Sequence, residues 1–247
     1  MKSLLKKFIP EFILLERQKY LGIIPDKQFE MMDSKVIFEN TYKNKIWGKS
    51  SDEDDGFFSG EGTHNQLISS VYVNAVSKFL TSFSTKPNAV DLGCGDFFIG
   101  SSIRNFCDKY IACDIVVPLI ERNKKKYADL NVDFRVLNLA VDSLPTGDVL
   151  FVRQVLQHLS NSQIKGFINS LQGKYKFLII TEHLPLSKEF TPNLDKPSGP
   201  NTRIGLGKYG SGIVLTEPPF NLAVNETKVL CQVESEGGLI ATLVYTF

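Results

Sequence analysis

Between Pro87 and Thr181 short apolar runs alternate with segments of helical period, and this rhythm constrains the chain more than any other feature. Strands separated by stretches long enough for a crossover helix belong to a parallel sheet covered on both faces. The expected strands are residues 89–92, 110–114, 134–137, 149–152 and 177–181. One helix between them can be read in detail. In "SNSQIKGFINSLQG", Ser160 is placed as N-cap with Gln163 three residues on, Ile164, Phe167, Ile168 and Leu171 share one face, and Gly173 supplies a stop. After the fifth strand the rhythm breaks, because residues 184–222 are rich in Pro, Gly, Asn and Thr and hold no period. The chain closes with "TKVLCQV" and "LIATLVYTF" around a Glu-Ser-Glu-Gly-Gly turn, the pattern of an antiparallel hairpin. The expected fold is therefore α/β: a Rossmann-like, doubly wound sheet, mostly parallel with a C-terminal antiparallel hairpin, plus an N-terminal helical extension.

That extension contains candidate helices at residues 28–42 and 66–83, on either side of the acidic stretch "WGKSSDEDDGFFSGEGTHN", which fits no regular element. It reads as a disordered linker or as a loop that closes over a ligand with Trp47, Phe57 and Phe58. The opening residues carry lysines, but Pro10, Glu11, Glu16 and Arg17 interrupt the apolar run that a signal peptide needs. Leu5, Phe8, Ile9, Phe12 and Leu15 fit one side of a helix packed onto its own domain, with weak peripheral membrane contact as the alternative, and no transmembrane segment is expected. The 247 residues thus divide into a helical cap and lid over 1–85 and a domain over 86–247 that carries the insertion at 184–222. A formal net charge of +1 argues against a nucleic-acid partner, and the Lys124–Lys126 run reads as a solvated helix face. Cys94, Cys107, Cys113 and Cys231 show no C-x-x-C spacing, which predicts a reducing, cytoplasmic setting without a structural metal.

The string "VDLGCGDFFIG" (90–100) follows the first expected strand, where an open α/β sheet brings backbone close to a ligand. A dinucleotide fingerprint would need glycine where Phe98 stands, and Asp91 would repel the pyrophosphate held over such a turn. A ligand with an ammonium group and no phosphate removes the conflict, and S-adenosylmethionine meets that description. Asp114 ends the second expected strand, where a carboxylate can accept both ribose hydroxyls.

With these residues in place the sequence resembles the class I S-adenosylmethionine-dependent methyltransferases, over about 87–181 and the closing hairpin, in "VDLGCG", "ACD", "FRVLNLAVDSLP" and "DVLFVRQVLQHLS". The resemblance implies that Asp91, Gly93 and Gly95 hold the methionine part and Asp114 the ribose. Family members often place an Asp after the third strand to contact the adenine amino group. Here Asn138 occupies that place, followed by Leu139, and an Asn carbonyl can still accept the bond. Arg153 and Gln154 fall beside the cofactor, and His158 faces the substrate side. "YKNKIWG", "FFSGEGTHN" and "GPNTRIG" add a less specific similarity to bacterial sugar and polysaccharide methyltransferases.

Methyl transfer to an alcohol needs a group that takes the proton, so His158 is the first candidate base. His183 and Glu182, at the end of the fifth strand, are candidates to pair with it, although a structural role is expected of them. Arg203 is expected as an exposed loop arginine, with a negatively charged substrate group as its alternative partner. Neither an N/D-P-P-Y string nor a nucleophilic Cys follows the fourth strand, and no cluster has metal-ligand spacing. The expectation is methyl transfer to an oxygen of a small molecule or glycan. An amine acceptor, a nicotinamide-dependent oxidoreductase and a non-catalytic cofactor-binding adapter remain the alternatives.

Overall fold

A computed structural model describes residues 26–49, 56–235 and 237–247. The apolar side expected at Leu5 to Leu15 lies outside the described residues. Seven strands form one sheet in the order β3-β2-β1-β4-β5-β7-β6. Strands β1 (Ala89–Leu92), β2 (Tyr110–Asp114), β3 (Asp133–Val136), β4 (Val149–Arg153) and β5 (Phe177–Pro185) are parallel, while β6 (Glu226–Ser235) and β7 (Gly238–Thr246) form the expected antiparallel hairpin. The expected fold class is borne out. β5 runs four residues further than the sequence suggests, because β7 pairs with it from Phe177↔Thr246 to Pro185↔Gly238. That pairing supplies ladder partners to a segment whose polar residues hide its strand character.

Every residue of β1 is buried, and its side chains alternate between two cores. Val90 and Leu92 meet Ile37 and Phe38 of α1 (Ser34–Lys43) in one cluster, whereas Ala89 meets Tyr72 and Val76 of α3 (Gln66–Leu80) in the other. Helices α4 (Phe98–Ile103), α5 (Val117–Lys126) and α6 (Asn161–Asn169) complete the two covering layers. The expected helix at 28–42 is cut in two. Asp33 adopts an extended conformation and caps α1 by accepting from the Lys35 amide at 2.8 Å, so only a short 3₁₀ turn precedes it. Asn65 does the same for α3 through the amides of Leu67 and Ile68, and that helix ends at Leu80 rather than at 83. The capping box of α6 forms as read, but the helix closes at Ser170, short of Gly173. Within the stretch expected to be irregular, Glu61–His64 form a single helical turn, α2.

The insertion is irregular but internally fastened. Buried Asn193 donates to the carbonyls of Val214, Glu217 and Pro218 and accepts the Val214 amide at 2.8 Å. Among the described residues no helix is long and apolar enough to cross a membrane.

Candidate functional site

The C-terminal ends of β1, β2, β4 and β5 open on a cavity of about 360 Å³, the place where an open parallel sheet exposes its ligand crevice. At its floor Gly93 and Gly95 have φ of +73° and +55°, the left-handed region. A Cβ on Gly93 would stand 2.4 Å from Val155, and one on Gly95 would stand 2.4 Å from the Ser59 hydroxyl. Backbone conformation and close approach both require glycine here.

Two buried carboxyls flank the turn. Asp91 accepts from the Tyr110 hydroxyl at 3.1 Å, and burial pushes its pKa up to about 7. Asp114 accepts the amides of Val116 at 3.0 Å and Gly95 at 3.1 Å; burial again dominates and pushes its pKa up to about 6. Neither makes a direct ion pair among the described residues, although the buried Arg153 guanidinium opposes the rise at Asp91. Asn138 and Leu139 line the same end, with Asn138 Oδ1 accepting the Ala140 amide at 3.0 Å and keeping one lone pair.

Arg153 and Gln154 also line the cavity, but both are engaged with α2. Arg153 donates to Thr63 Oγ1 at 3.0 Å and to the Gly62 carbonyl, with its guanidinium 5.0 Å from the Tyr72 ring centre. The Gln154 amide lies so close to Gly62 that a Cβ there would meet it at 2.6 Å. These contacts bring the glycine-rich loop onto the site. Asp96, just after the glycine turn, accepts the Ser59 amide at 2.9 Å and sits 2.6 Å from His64 Nε2, while its own amide donates to Ser59 Oγ at 2.8 Å. Burial raises the Asp96 pKa, but the His64 bond and the Phe98 and Ser59 amides outweigh it and hold the carboxyl below the usual range. Sequence reasoning missed this latch. Its one signal was an acid directly after Gly95 and a histidine directly after the loop.

The other end of the cavity is aromatic. Phe38 and Trp47 line it with His158, His183, Pro200, Thr202, Ser235 and Ile240, and Tyr42 reaches from Trp47 to the glycine turn, its hydroxyl 3.1 Å from Ser59 Oγ. Trp47 donates to the Pro200 carbonyl at 3.1 Å, so the lid side meets the insertion there, and its ring centre is 5.0 Å from that of His158. His158 sits in a short 3₁₀ turn, Leu156–His158, after β4. Burial, then Lys196 and Arg203 nearby, lower its pKa to about 3, against the opposing pull of the Asn201 and Gly199 carbonyls.

The two fifth-strand candidates part company. His183 lines the cavity with Nε2 2.9 Å from the Ser235 carbonyl, whereas Glu182 does not line it. Adjacent strand residues face opposite ways, and Glu182 lies behind the His158 turn, accepting the Leu156 amide at 3.2 Å. Burial, opposed by Arg203, pushes the Glu182 pKa up to about 8.

Arg203 is neither exposed nor directed at a ligand, which corrects the expectation for it. It is wholly buried and donates to the carbonyls of Leu156, Gln157, Leu159 and Leu194 and to Asn161 Oδ1. The Leu156 carbonyl also accepts the Leu159 amide at 3.0 Å, whereas those of Gln157 and Leu159 rely on the planar guanidinium, which reaches all three together. Among the described residues no group of three or more His, Cys, Asp or Glu could hold a metal ion.

Solved structures share this fold. The N-methyltransferase NodS from Bradyrhizobium japonicum, in complex with S-adenosylhomocysteine, superposes with a TM-score of 0.58 at 12% identity over 85% of this chain and 98% of its own. Magnesium protoporphyrin IX methyltransferase from Synechocystis, with bound S-adenosylmethionine, gives 0.53 at 12% over 87% and 97%. An S-adenosylmethionine-dependent methyltransferase from Leishmania major gives 0.52 at 14% over 75% and 76%. The chain has the class I methyltransferase fold. Neither a protein-family model nor a curated protein matches it by sequence, so the likeness is one of architecture. The residues of the cavity fit the cofactor of those structures: a bare glycine turn gives close approach, and two buried acids that make no direct ion pair among the described residues suit a ligand that brings an ammonium group and a diol.

Proposed function

We propose that this chain is an S-adenosylmethionine-dependent methyltransferase that acts on an oxygen of a small-molecule acceptor. The observation that carries the reading is the pair Asp91 and Asp114, buried at the ends of neighbouring strands around one glycine turn, with pKa values pushed up by that burial. Burying two carboxyls, of which only Asp91 feels a nearby cation, Arg153, and neither makes a direct ion pair among the described residues, costs stability unless a ligand makes use of them. Asp91 would hold the ammonium end, with Gly93 and Gly95 admitting the chain, Asp114 the ribose hydroxyls, and Asn138 and Leu139 the adenine. Arg153 and Gln154 would act on the cofactor through the α2 loop that they hold. When bound, the cofactor supplies the methyl group and its sulfonium leaving group.

The described residues of the cap, from Ser34 to Thr63, and the insertion would enclose the acceptor. Aromatic faces at Phe38, Tyr42 and Trp47 favour a ring, planar or sugar-like, and the small volume favours a small molecule or one residue of a glycan. His158 lines that end beside Trp47, with the carbonyls of Gly199 and Asn201 against its ring. His183 would orient the acceptor, and Glu182 would steady the turn that bears His158.

Calorimetric titration with S-adenosylhomocysteine and with NADH tests the reading. Binding of the first and not the second is expected; binding of NADH alone would overturn it in favour of an oxidoreductase. Turnover of labelled S-adenosylmethionine on extract fractions separates an enzyme from an adapter.

A further inference from the structure

We infer that His183 is the base of this site, and that the acceptor presents a hydroxyl to its Nδ1 atom. The inference rests on the methyltransferase reading and names the group that removes the acceptor's proton.

His183 lines the cavity from β5, beyond the last pair that β5 makes with β4, Arg153↔Thr181. One hydrogen bond fixes its tautomer. Nε2 lies 2.9 Å from the Ser235 carbonyl at the end of β6, and a carbonyl oxygen only accepts, so Nε2 carries the proton of the neutral ring and Nδ1 keeps its lone pair. The Cδ2–Nε2 edge of the ring is seated against the hairpin. A Cβ on Gly238 would stand 2.6 Å from Nε2 and 2.8 Å from Cδ2, so the glycine that opens β7 leaves the room the ring occupies. Nδ1 lies on the opposite edge and makes no hydrogen bond among the described residues. Unlike His158 Nδ1, it is not shut off from open space, and the open space that His183 borders is the cavity.

The other two histidines offer no such atom. His64 Nε2 is engaged by Asp96 at 2.6 Å, and His64 does not line the cavity. His158 Nδ1 is buried, with the carbonyls of Gly199 and Asn201 against the ring. Its Nε2 is met by Gln157: the Gln157 Oε1 accepts the His183 amide at 3.2 Å, which turns the NH₂ group to His158 Nε2 at 3.3 Å. His183 is thus the histidine whose lone pair faces the acceptor.

A hydroxyl donates to that lone pair, whereas a carboxylate would set a second lone pair against it. The acceptor oxygen bonds the methyl carbon as the S–CH₃ bond breaks and sulfur keeps the electron pair, while the hydroxyl proton passes to Nδ1. The imidazolium that results already points its second N–H at the Ser235 carbonyl, a bond that gains strength with the charge, and it returns the proton to water.

Three measurements on the whole protein test this. Long-range ¹H–¹⁵N spectra of the S-adenosylhomocysteine complex at pH 8 read the tautomer, with the His183 signals identified by their loss in His183→Gln. A protonated Nε2 and a bare Nδ1 are expected, and a protonated Nδ1 overturns the proposal. The same spectra then follow titration with phenol against anisole, benzyl alcohol against benzyl methyl ether, and methyl glucoside against its tetramethyl ether. In at least one pair the hydroxyl compound should move the Nδ1 signal of His183 and its methyl ether should not; no such difference in any pair overturns the proposal. On the extract fraction that takes the labelled methyl group, His183→Gln, which still carries an N–H for the Ser235 carbonyl, should lower turnover roughly 10²- to 10⁴-fold and leave the affinity for S-adenosylhomocysteine unchanged. Full turnover, or a loss of cofactor affinity that accounts for the lost rate, overturns this proposal alone. Failure of the unaltered protein to bind S-adenosylhomocysteine, or to turn over on any fraction, overturns the methyltransferase reading and this proposal with it.

Discussion

Cofactor binding should release protons, and the affinity should fall as the pH drops from 8 to 6. Burial holds the pKa of Asp91 at about 7 and that of Asp114 at about 6 in the ligand-free cavity. A ligand that presents an ammonium group and a diol binds the ionised carboxyls, so each acid protonated beforehand must lose its proton. At pH 6 Asp91 is roughly nine-tenths protonated and Asp114 half, which makes about 1.4 protons released per ligand, against about 0.6 at pH 7. Removing one proton against a tenfold higher proton concentration costs about 1.4 kcal/mol more. Between pH 8 and pH 6 the deprotonation cost therefore grows by roughly 2 kcal/mol, most of it from Asp91, and affinity should fall roughly 10- to 30-fold. The sign is set by the direction in which both acids are displaced: pKa values raised in the empty protein and lowered in the complex favour binding at high pH. Calorimetry with S-adenosylhomocysteine at pH 6, 7 and 8, in two buffers of different ionisation heat, counts the protons. Asp91→Asn should remove most of the release and flatten the profile. Tight binding at pH 6 with no proton release, or with uptake, would refute the assignment of both acids to the ligand.

Asp114→Ala should weaken S-adenosylhomocysteine binding at pH 8 by about 1.5–3 kcal/mol, the range for hydrogen bonds to a charged group; an unchanged dissociation constant in a folded variant counts against the ribose contact. Arg203→Met should leave the Gln157 and Leu159 carbonyls of the His158 turn unsatisfied and cost at least about 2 kcal/mol in chemical denaturation, with a loss near zero showing that the turn does not need its staple. Trp47, the only tryptophan, packs against His158 and hydrogen-bonds the insertion, so its emission should change when the cavity fills. Identical spectra with and without saturating S-adenosylhomocysteine would exclude a lid that responds to ligand.

Much of the sheet was legible because its strands are buried on both faces and read as continuous apolar runs between helical stretches; β1 and β2 fall at the residues expected. Asp91, Gly93, Gly95 and Asp114 were legible as a group because their spacing follows from the strand-turn-strand unit itself. What escaped depends on contacts distant in sequence. The second half of β5 is strand only because β7 lies beside it. Asp96 is a latch only because the loop bearing Ser59 and His64 folds back over it, across more than thirty residues. Arg203 looked like a surface residue among Pro, Gly and Asn because nothing local reveals that the turn at 156–159 exposes carbonyls that need donors. For His158 the sequence supplied the position, whereas the direction of its hydrogen bonds follows from Gln157 and a backbone amide of β5.

The arginine that joins the insertion to the turn bearing His158 makes the position of that ring adjustable from outside the cavity. Arg203 and Leu194 belong to the insertion, and every other partner of that guanidinium named above belongs to the turn or to the start of α6. A change in the length or course of the insertion is therefore transmitted as a displacement of the His158 ring, with the glycine turn and its acids left in place. A lineage of such chains would thereby move the His158 ring by editing a stretch that includes neither the glycine turn nor its acids.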